Sequence, residues 1–151
     1  MSTFSYPVVL DLDGRPCLVV GGGVIAERKI TGLLNARARV TILSPFLSPA
    51  LTSLAAEGRF RWIPREYVAG DTVGYALVMV ATNDRTVNAQ VSDEARARGV
   101  WVNCADDPQR SDLILPSVHR GVVTVSVSTG GASPAMARLV REEIDRLPRC
   151  R

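Results

Sequence analysis

Apolar runs alternate with segments of helical periodicity through the first two thirds of the chain. Short apolar or alternating runs bounded by glycine, proline and polar residues predict β-strands. These runs are PCLVVGG from residue 16, ARVTILSP at 38–45, FRWIPREY at 60–67, YALVMVATND at 75–84 and VWVNCADDP at 100–108. Helices are predicted at 24–36, 48–58 and 85–99. The alternation predicts an α/β fold, a Rossmann-like doubly wound parallel sheet with right-handed crossovers and helices on both faces.

The pattern changes after residue 112. Two apolar runs, 113–118 and 122–128, are separated by HRG, which indicates a hairpin rather than another strand–helix–strand unit. Ser133 and Pro134 then suit the N-cap and first position of a last helix. One stripe of that helix is apolar and consists of Met136, Leu139, Val140, Ile144 and Leu147.

A β–β–α segment of this kind has little of its own to pack against. Alone it would expose an apolar patch and an unpaired strand edge, which soluble monomers avoid. The same patch on a two-fold related copy would cover both. We therefore predict a Rossmann domain at 1–112, a short C-terminal dimerisation segment at 113–151, and a homodimer in which residues 113–147 form most of the interface.

Composition narrows the class of protein. With 151 residues, 46% of them hydrophobic, the chain is long enough for one domain with a real core and a small appendage. The net charge of +3 suggests nucleic acid, but the cations are dispersed and 5% aromatic residues are too few for a base-stacking platform. No apolar run approaches the roughly 18 residues of a membrane span, and the N-terminus does not resemble a signal peptide. We expect no nucleic-acid partner and no membrane association.

The cysteines indicate a reducing compartment. Cys17, Cys104 and Cys150 form no CxxC pair, and their spacing suits neither zinc nor a disulfide framework. We therefore predict a cytoplasmic location and no metal site. Cys17 and Cys104 are expected to pack in or beside strands, although a thiol at Cys104 could also matter to a metal.

Three consecutive glycines in CLVVGGGVIAERKIT demand an explanation, because glycine is costly inside regular structure. Gly21, Gly23 and Ala26 fit G-x-G-x-x-A between a strand and a helix, a pattern that brings a pyrophosphate to a helix N-terminus. The alternative is a glycine turn that binds nothing. The acidic residue that usually binds the ribose is missing after the second strand, where only Ser44 and Ser48 are available. No arginine follows that strand either, so the ligand is NAD held differently or another adenine compound.

Several segments carry a family resemblance: YPVVLDLDGRPCLVVGGGVIAERKITGLL, VATNDRTVNAQVSDEARARG, VNCADDP and VSVSTGGASPAMARLVREEI. Together and in this order they resemble the precorrin-2 dehydrogenase / sirohydrochlorin ferrochelatase family, the N-terminal module of siroheme synthase. The resemblance implies NAD-dependent oxidation of precorrin-2 to sirohydrochlorin, with iron insertion in some members. It also implies a Rossmann domain and a dimerisation segment. A bifunctional dehydrogenase and ferrochelatase is the second hypothesis. The family's C-terminal helical domain is expected to be absent, in a short natural form or a shortened chain, which counts against chelation.

The resemblance also implies site residues. Its catalytic aspartate, in N-x-x-D, corresponds to Asp106, which would accept a proton at the carboxyl end of the sheet. Asp107 is expected to serve the turn, and to raise the pKa of Asp106 if the two carboxyls approach. Without the resemblance, both aspartates read as turn residues. The cofactor set is Gly21, Gly22, Gly23, Val24, Ile25, Ser44, Pro45, Phe46, Ala81, Thr82 and Asn103.

A second set is expected to bind the substrate. The loop 128–133 offers N–H groups at a helix N-terminus, which suit a substrate carboxylate, or it simply caps the helix. His119 stands where the family commonly has an acidic residue, and it is either a polar turn residue or a partner for a carboxylate or metal. The set consists of Ser128, Thr129, Gly130, Gly131, Ser133 and His119. A nucleotide-sensing Rossmann module without chemistry remains the alternative from a different class.

Overall fold

The structure is a computed structural model that describes residues 6–113, 117–120, 123–130 and 132–147, without the side chains of 117–120. The chain divides into two compact units. One is Leu10–Leu113; the other combines Met1–Val9 with Ile114–Arg151. The first carries the parallel sheet, and the second carries the hairpin and the last described helix.

Five parallel strands and three helices make up the first unit. The strands are β1 (Pro16–Val20), β2 (Arg39–Leu43), β3 (Arg61–Ile63), β4 (Leu77–Val80) and β5 (Trp101–Cys104). The helices are α1 (Val24–Asn35), α2 (Pro49–Ala56) and α3 (Arg85–Ala97). The strand order β3-β2-β1-β4-β5 confirms the predicted doubly wound Rossmann-like sheet.

The strands are shorter than the sequence predicts. The third strand was expected at 60–67 but ends at Ile63, directly before Pro64, which has no N–H for the ladder. The fourth was expected at 75–84 but ends at Val80, and the polar residues after it form the turn into α3. The extra predicted residues are therefore loop residues at the carboxyl ends of strands, where doubly wound folds bind ligands.

The two faces of the sheet have separate cores. Alternate strand residues such as Val19, Ile42 and Met79 pack under α1 and α2, around Ile30 and Leu51. The residues between them, among them Leu18, Val80 and Val102, pack with Val91 and Ala95 of α3. This alternation follows the period of two in a strand and confirms helices on both faces.

The segment that leaves the sheet covers one of its edges. The Asp112 N–H donates to the Val102 carbonyl at 2.8 Å, and the Val102 N–H donates to Asp112 Oδ2 at 3.1 Å. Ser111 Oγ accepts from the Cys104 N–H at 2.8 Å. Leu113, which the sequence analysis placed in the hairpin, packs in the core of the first unit. The edge of β5 is thus paired, which protects it from pairing with other chains.

The second unit contains the predicted hairpin. Strands β6 (Ser117–Arg120) and β7 (Val123–Ser126) are antiparallel, and helix α4 spans Pro134–Arg146. Ser133 Oγ accepts from the Met136 N–H at 3.2 Å, so Ser133 is the N-cap. The part of the first apolar run at 114–116 lies outside the described residues.

Glu94 on α3 ties down the long connection between β3 and β4. Its carboxylate accepts hydrogen bonds from the Tyr67 hydroxyl, from the Gly70 N–H at 2.7 Å and from Arg98 at 2.6 Å. Arg65 pairs with Asp71 in the same connection through two bonds of 2.7 Å. The Glu94 carboxylate therefore holds the connection between β3 and β4 against α3, and the Arg65–Asp71 pair stabilises the connection itself.

We predict that Glu94→Ala lowers the free energy of unfolding by about 1–3 kcal/mol, because the partly buried Tyr67 hydroxyl and two further donors lose their acceptor. Urea denaturation measures the change. Glu57→Ala is the control, since its exposed carboxylate makes one ion pair at 4.0 Å, and it should change stability by less than about 0.5 kcal/mol. Equal effects of the two variants would contradict the structural role of Glu94.

Candidate active site

Gly21 forms the tight turn at the end of β1. Its φ of 119° lies in a region that other residues rarely adopt, and a Cβ there would overlap the Ala81 carbonyl that follows β4. Its N–H donates to the Leu43 carbonyl at 3.0 Å. The turn role predicted for Gly21 therefore has a steric cause, which is the backbone of the neighbouring strand.

Gly22 and Gly23 have different surroundings. A Cβ on Gly22 would overlap the Phe46 carbonyl and lie 2.9 Å from Ser44 Oγ, and the Gly22 carbonyl accepts from the Ser48 N–H at 2.8 Å. The absence of a Cβ on Gly22 thus allows the loop that follows β2 to pack against the glycine turn. The motif G-x-G-x-x-A leaves this position unspecified. A Cβ on Gly23 would meet no atom within 4 Å. The fold leaves the space above Gly23 open to a ligand.

The N-terminus of α1 is uncapped by any described side chain. Helices α2, α3 and α4 have side-chain caps from Ser48, Asp84 and Ser133, whereas Gly23 provides none for α1. The first N–H groups of a helix have no partner within the helix and carry its positive dipole end. They therefore suit a pyrophosphate.

Three exposed apolar side chains surround this helix N-terminus. Val24 is 70% exposed, Ile25 58% and Phe46 60%. Ala26, in contrast, is fully buried against the sheet, as the motif requires. Val24, Ile25 and Phe46 offer apolar surface beside the open N–H groups, which fits the rings of a dinucleotide.

The loop after β2 uses its hydroxyls internally. Ser44 Oγ donates to the Phe46 carbonyl at 2.7 Å, and Ser48 Oγ caps α2. Trp62 Nε1 donates to the Ser44 carbonyl at 2.9 Å and holds the loop from β3. The loop, with Pro45 between Ser44 and Phe46, therefore approaches the glycine turn mainly through its backbone. A ribose at this position would meet no carboxylate in residues 44–48.

The next strand ends supply Ala81, Thr82 and Asn103. Ala81 is buried beside Gly21, and Thr82 begins the turn into α3. Asn103 Nδ2 donates to the Leu113 carbonyl at 2.8 Å, and Asn103 Oδ1 accepts from the Lys29 ammonium. The side-chain amide of Asn103 is therefore committed within the protein.

Lys29 is a partly buried cation to which the sequence alone assigned no role. Burial lowers its pKa, while its ammonium is held by Asn103 across the face of the sheet under α1. Lys29 is the only lysine of the chain and stands in the AERK stretch after the glycines, which was the available signal. Its partner is 74 residues away, so no local pattern reveals the contact.

Asp106 lies in a cleft of about 130 Å³ beyond the end of β5. Asn88 Nδ2 and Cys104 Sγ each donate to Asp106 Oδ1 at 3.1 Å. The cleft is lined by Arg85, Asn88, Ala89, Cys104, Asp106, Asp107 and Arg110. Both donors are nearly inaccessible, with Asn88 2% and Cys104 3% exposed, whereas the carboxylate itself is exposed.

The electrostatics of the cleft favour an ionised Asp106. Its pKa is lowered, chiefly by the hydrogen bond from Cys104, with further contributions from Asn88 and the charge of Arg85. The rise expected on a close approach of the two carboxyls does not occur, since Asp107 does not contribute to the shift in the Asp106 pKa. Asp107 accepts from the Gln109 N–H at 2.9 Å and is the cap of a short 3₁₀ turn. Burial meanwhile raises the pKa of the Cys104 thiol, which keeps it a donor.

The predicted substrate residues belong to the second unit. Ser128 Oγ accepts from the Gly130 N–H at 3.2 Å, and Thr129 Oγ1 accepts from the Ser133 N–H at 3.1 Å. These bonds shape the loop before α4, as the capping alternative requires. The His119 backbone pairs with Thr124 in the hairpin. Gly131 and the His119 side chain lie outside what the structure describes.

Comparisons with known proteins identify the family. A family model described as "Putative NAD(P)-binding" matches residues 8–117, and one described as "Sirohaem biosynthesis protein central" matches residues 120–147. The solved structure of SirC, precorrin-2 dehydrogenase, is 33% identical, covers 93% of this chain and 70% of SirC, and has a TM-score of 0.83. The chain belongs to the siroheme synthase and precorrin-2 dehydrogenase family.

The chain is also similar in sequence to curated siroheme synthases. Siroheme synthase 1 of Aeromonas salmonicida (strain A449) is 44% identical over 142 residues, which are 93% of this chain and 30% of that protein. The siroheme synthase of Methylobacillus flagellatus is 45% identical over 144 residues, 95% of this chain and 31% of that protein. The chain therefore spans about 30% of the length of these relatives.

Neither a membrane-spanning helix nor a group of metal-ligating side chains is found in the part of the chain that the structure describes. Among the described residues, no helix is both long and apolar enough to cross a bilayer. Within the same residues, no three His, Cys, Asp or Glu side chains are grouped so that they could hold a metal ion. The family match supports a nicotinamide cofactor for this chain.

The glycine turn generates a prediction from two adjacent positions. Gly22→Ala should lower the free energy of unfolding by about 1–3 kcal/mol, because its Cβ collides with backbone that cannot move freely. Gly23→Ala should leave stability within about 0.5 kcal/mol, since its Cβ enters open space. Thermal and urea denaturation of both variants test this difference, and an equally destabilised Gly23→Ala would show that the loop is packed otherwise.

Proposed function

We propose that this chain catalyses the NAD-dependent oxidation of precorrin-2 to sirohydrochlorin. One observation carries the proposal: an ionised carboxylate, Asp106, and an open glycine turn occur at the same carboxyl edge of one sheet. A dehydrogenation needs both an electron-pair acceptor and a proton acceptor. The similarity to SirC, precorrin-2 dehydrogenase, supports this choice of reaction and substrate.

The cofactor is proposed to be NAD rather than NADP. Its pyrophosphate would bind the N–H groups that open α1, with Val24, Ile25 and Phe46 against its rings. No arginine directly follows β2, so this loop offers no cation to a 2′-phosphate. When bound, NAD supplies the hydride acceptor.

Asp106 is proposed as the general base. Conversion of precorrin-2 to sirohydrochlorin removes one hydride and one proton from the ring system. The Asp106 carboxylate takes that proton and returns it to water, so that charge and atoms balance. Its lowered pKa keeps it ionised at neutral pH and therefore ready to accept.

The second unit is proposed to bind the substrate and to form the dimer. The loop 128–133 and His119 would contact the carboxylates of precorrin-2. Met136 and Leu139 on α4 and Leu147 at its C-cap are more than half exposed, which leaves an apolar stripe for a second copy of the chain. We place the reaction in the cytoplasm, since Cys17 and Cys104 are free thiols.

The activity prediction concerns Asp106. The wild-type protein, mixed with precorrin-2 and NAD, should produce sirohydrochlorin and NADH in equal amounts, followed by absorbance. Asp106→Asn keeps the shape and removes the base, so turnover should fall about 100-fold or more while NAD affinity stays unchanged in calorimetry. Wild-type turnover should also decline as the pH falls through the lowered pKa of Asp106, because the protonated carboxyl cannot accept.

Asp107→Asn is the matched control, since its carboxylate serves the 3₁₀ turn. It should reduce turnover far less than Asp106→Asn. Similar losses in the two variants would contradict the assignment of the base. A protein that binds NAD but leaves precorrin-2 unchanged would instead be a nucleotide-sensing module.

The assembly prediction concerns α4. Leu139→Glu places a charge in the exposed stripe and should convert the dimer into monomers at micromolar concentration, measured by analytical ultracentrifugation. Arg138→Gln, on the neighbouring exposed position, should leave the dimer intact. A wild-type protein that sediments as a monomer would refute the proposed dimer.

A further inference from the structure

Asn88 is a polar residue buried in the apolar contact between α3 and the sheet. It is 2% exposed, and its helix face continues with Val91 and Ala95 in the core. An unpaired amide in such surroundings is costly. The side-chain amide of Asn88 must therefore form its hydrogen bonds with other groups of the protein. Its partners are Thr82 and Asp106.

Most of its hydrogen bonds go to Thr82. Asn88 Oδ1 accepts from the Thr82 N–H at 3.3 Å and from Thr82 Oγ1 at 2.5 Å, and Asn88 Nδ2 donates to the Thr82 carbonyl at 3.0 Å. The Thr82 N–H and carbonyl can only donate and accept, respectively. They therefore decide which end of the amide is oxygen and which is nitrogen.

This orientation aims the remaining N–H of Asn88 at Asp106. Asn88 Nδ2 donates to Asp106 Oδ1 at 3.1 Å, and Cys104 Sγ donates to the same oxygen at 3.1 Å. Hydrogen bonds from other described residues reach only Oδ1 of this carboxylate. The two carboxylate oxygens thus differ: one is held from α3 and β5, and the other is available to a ligand in the cleft.

We infer that Asn88 is a positioning residue for Asp106, and that Asp106 Oδ2 is the oxygen that accepts the substrate's proton. With Cys104, Asn88 fixes Oδ1 and so sets the direction of Oδ2. The inference rests on the proposed dehydrogenase function. A purely structural Asn88 would need only its bonds to Thr82, whereas the bond to Asp106 connects α3 with a different loop.

Several titratable or charged groups line the cleft, and two of them, Cys104 and Arg85, influence the pKa of Asp106. Arg85 faces Asp106 from the start of α3, Cys104 from β5, and Asp107 and Arg110 from the 3₁₀ turn. Arg110 is itself paired with Asp93 and Asp107. These groups remain when Asn88 is changed. Loss of the Asn88 donor should therefore raise the pKa of Asp106, because the charged form loses a hydrogen bond.

The test compares Asn88→Leu with Gln90→Leu, which removes an exposed amide from the same helix. In Asn88→Leu, kcat should fall about 10- to 100-fold at neutral pH, with KM for precorrin-2 and NAD little changed, because the base is ionised but misdirected. The acid limb of the kcat–pH profile should move to higher pH. Carbon-13 NMR titration of the Asp106 carboxyl should show the same rise in pKa. Gln90→Leu should match the wild type in all three measurements.

Two outcomes overturn the inference. One is a folded Asn88→Leu protein with an unchanged Asp106 pKa; the other is a raised pKa with unchanged kcat. If Asn88→Leu fails to fold, nitrogen-15 NMR of the Asn88 side-chain amide in the wild type replaces it: this signal should titrate together with the Asp106 carboxyl, and an amide signal that does not follow the Asp106 titration overturns the inference. The NMR titration needs no substrate, so a wild type that does not oxidise precorrin-2 refutes the proposed function separately from the Asn88–Asp106 bond.

Discussion

The site depends on the close approach of three backbones at the carboxyl edge of the sheet. Gly21 lies against the carbonyl that follows β4, and Gly22 lies against the loop that follows β2. Only residues without a Cβ permit both contacts. Because β1 is the central strand, this contact brings the loops of its two neighbours together. At Gly23, in contrast, a Cβ would meet no atom within 4 Å.

Hydrogen bonds among polar side chains and backbone groups hold Asp106 at the same edge of the sheet. Thr82 follows β4 directly, and its backbone orients the Asn88 amide on α3. Asn88 in turn reaches Asp106 beyond β5, so a hydrogen-bonded chain crosses from one strand end to the next. Asp84 caps α3 through the Thr86 N–H at 2.8 Å and so fixes the helical turn that carries Asn88. The Asp106 carboxylate is therefore held by buried groups while it stays exposed itself.

Local patterns predicted what depends on neighbours in sequence. The fold class follows from strand–helix alternation, and Gly21 and Ala26 follow from their motif. The third strand was predicted too long, because the alternating pattern at 60–67 continues past Pro64, whereas pairing stops at Ile63, since proline has no N–H for the ladder. Contacts between distant residues escaped prediction: Asn88 and Asp106 are 18 residues apart, and Lys29 and Asn103 are 74. The effect of Asp107 on the Asp106 pKa was expected only on a close approach of the two carboxyls, which sequence alone does not reveal, and Asp107 caps the 3₁₀ turn.

The ionisation of Asp106 constrains the chemistry that the site can perform. A carboxylate with a lowered pKa is always available near neutral pH but is a weak base. It suits a proton that becomes acidic as an electron pair leaves a conjugated ring system, and it does not suit an unactivated carbon acid. The raised pKa of Cys104 complements this, because a neutral thiol donates to the carboxylate where a thiolate would repel it. The buried donors thus lower the basicity of Asp106 and at the same time fix the direction of its carboxylate and keep it charged.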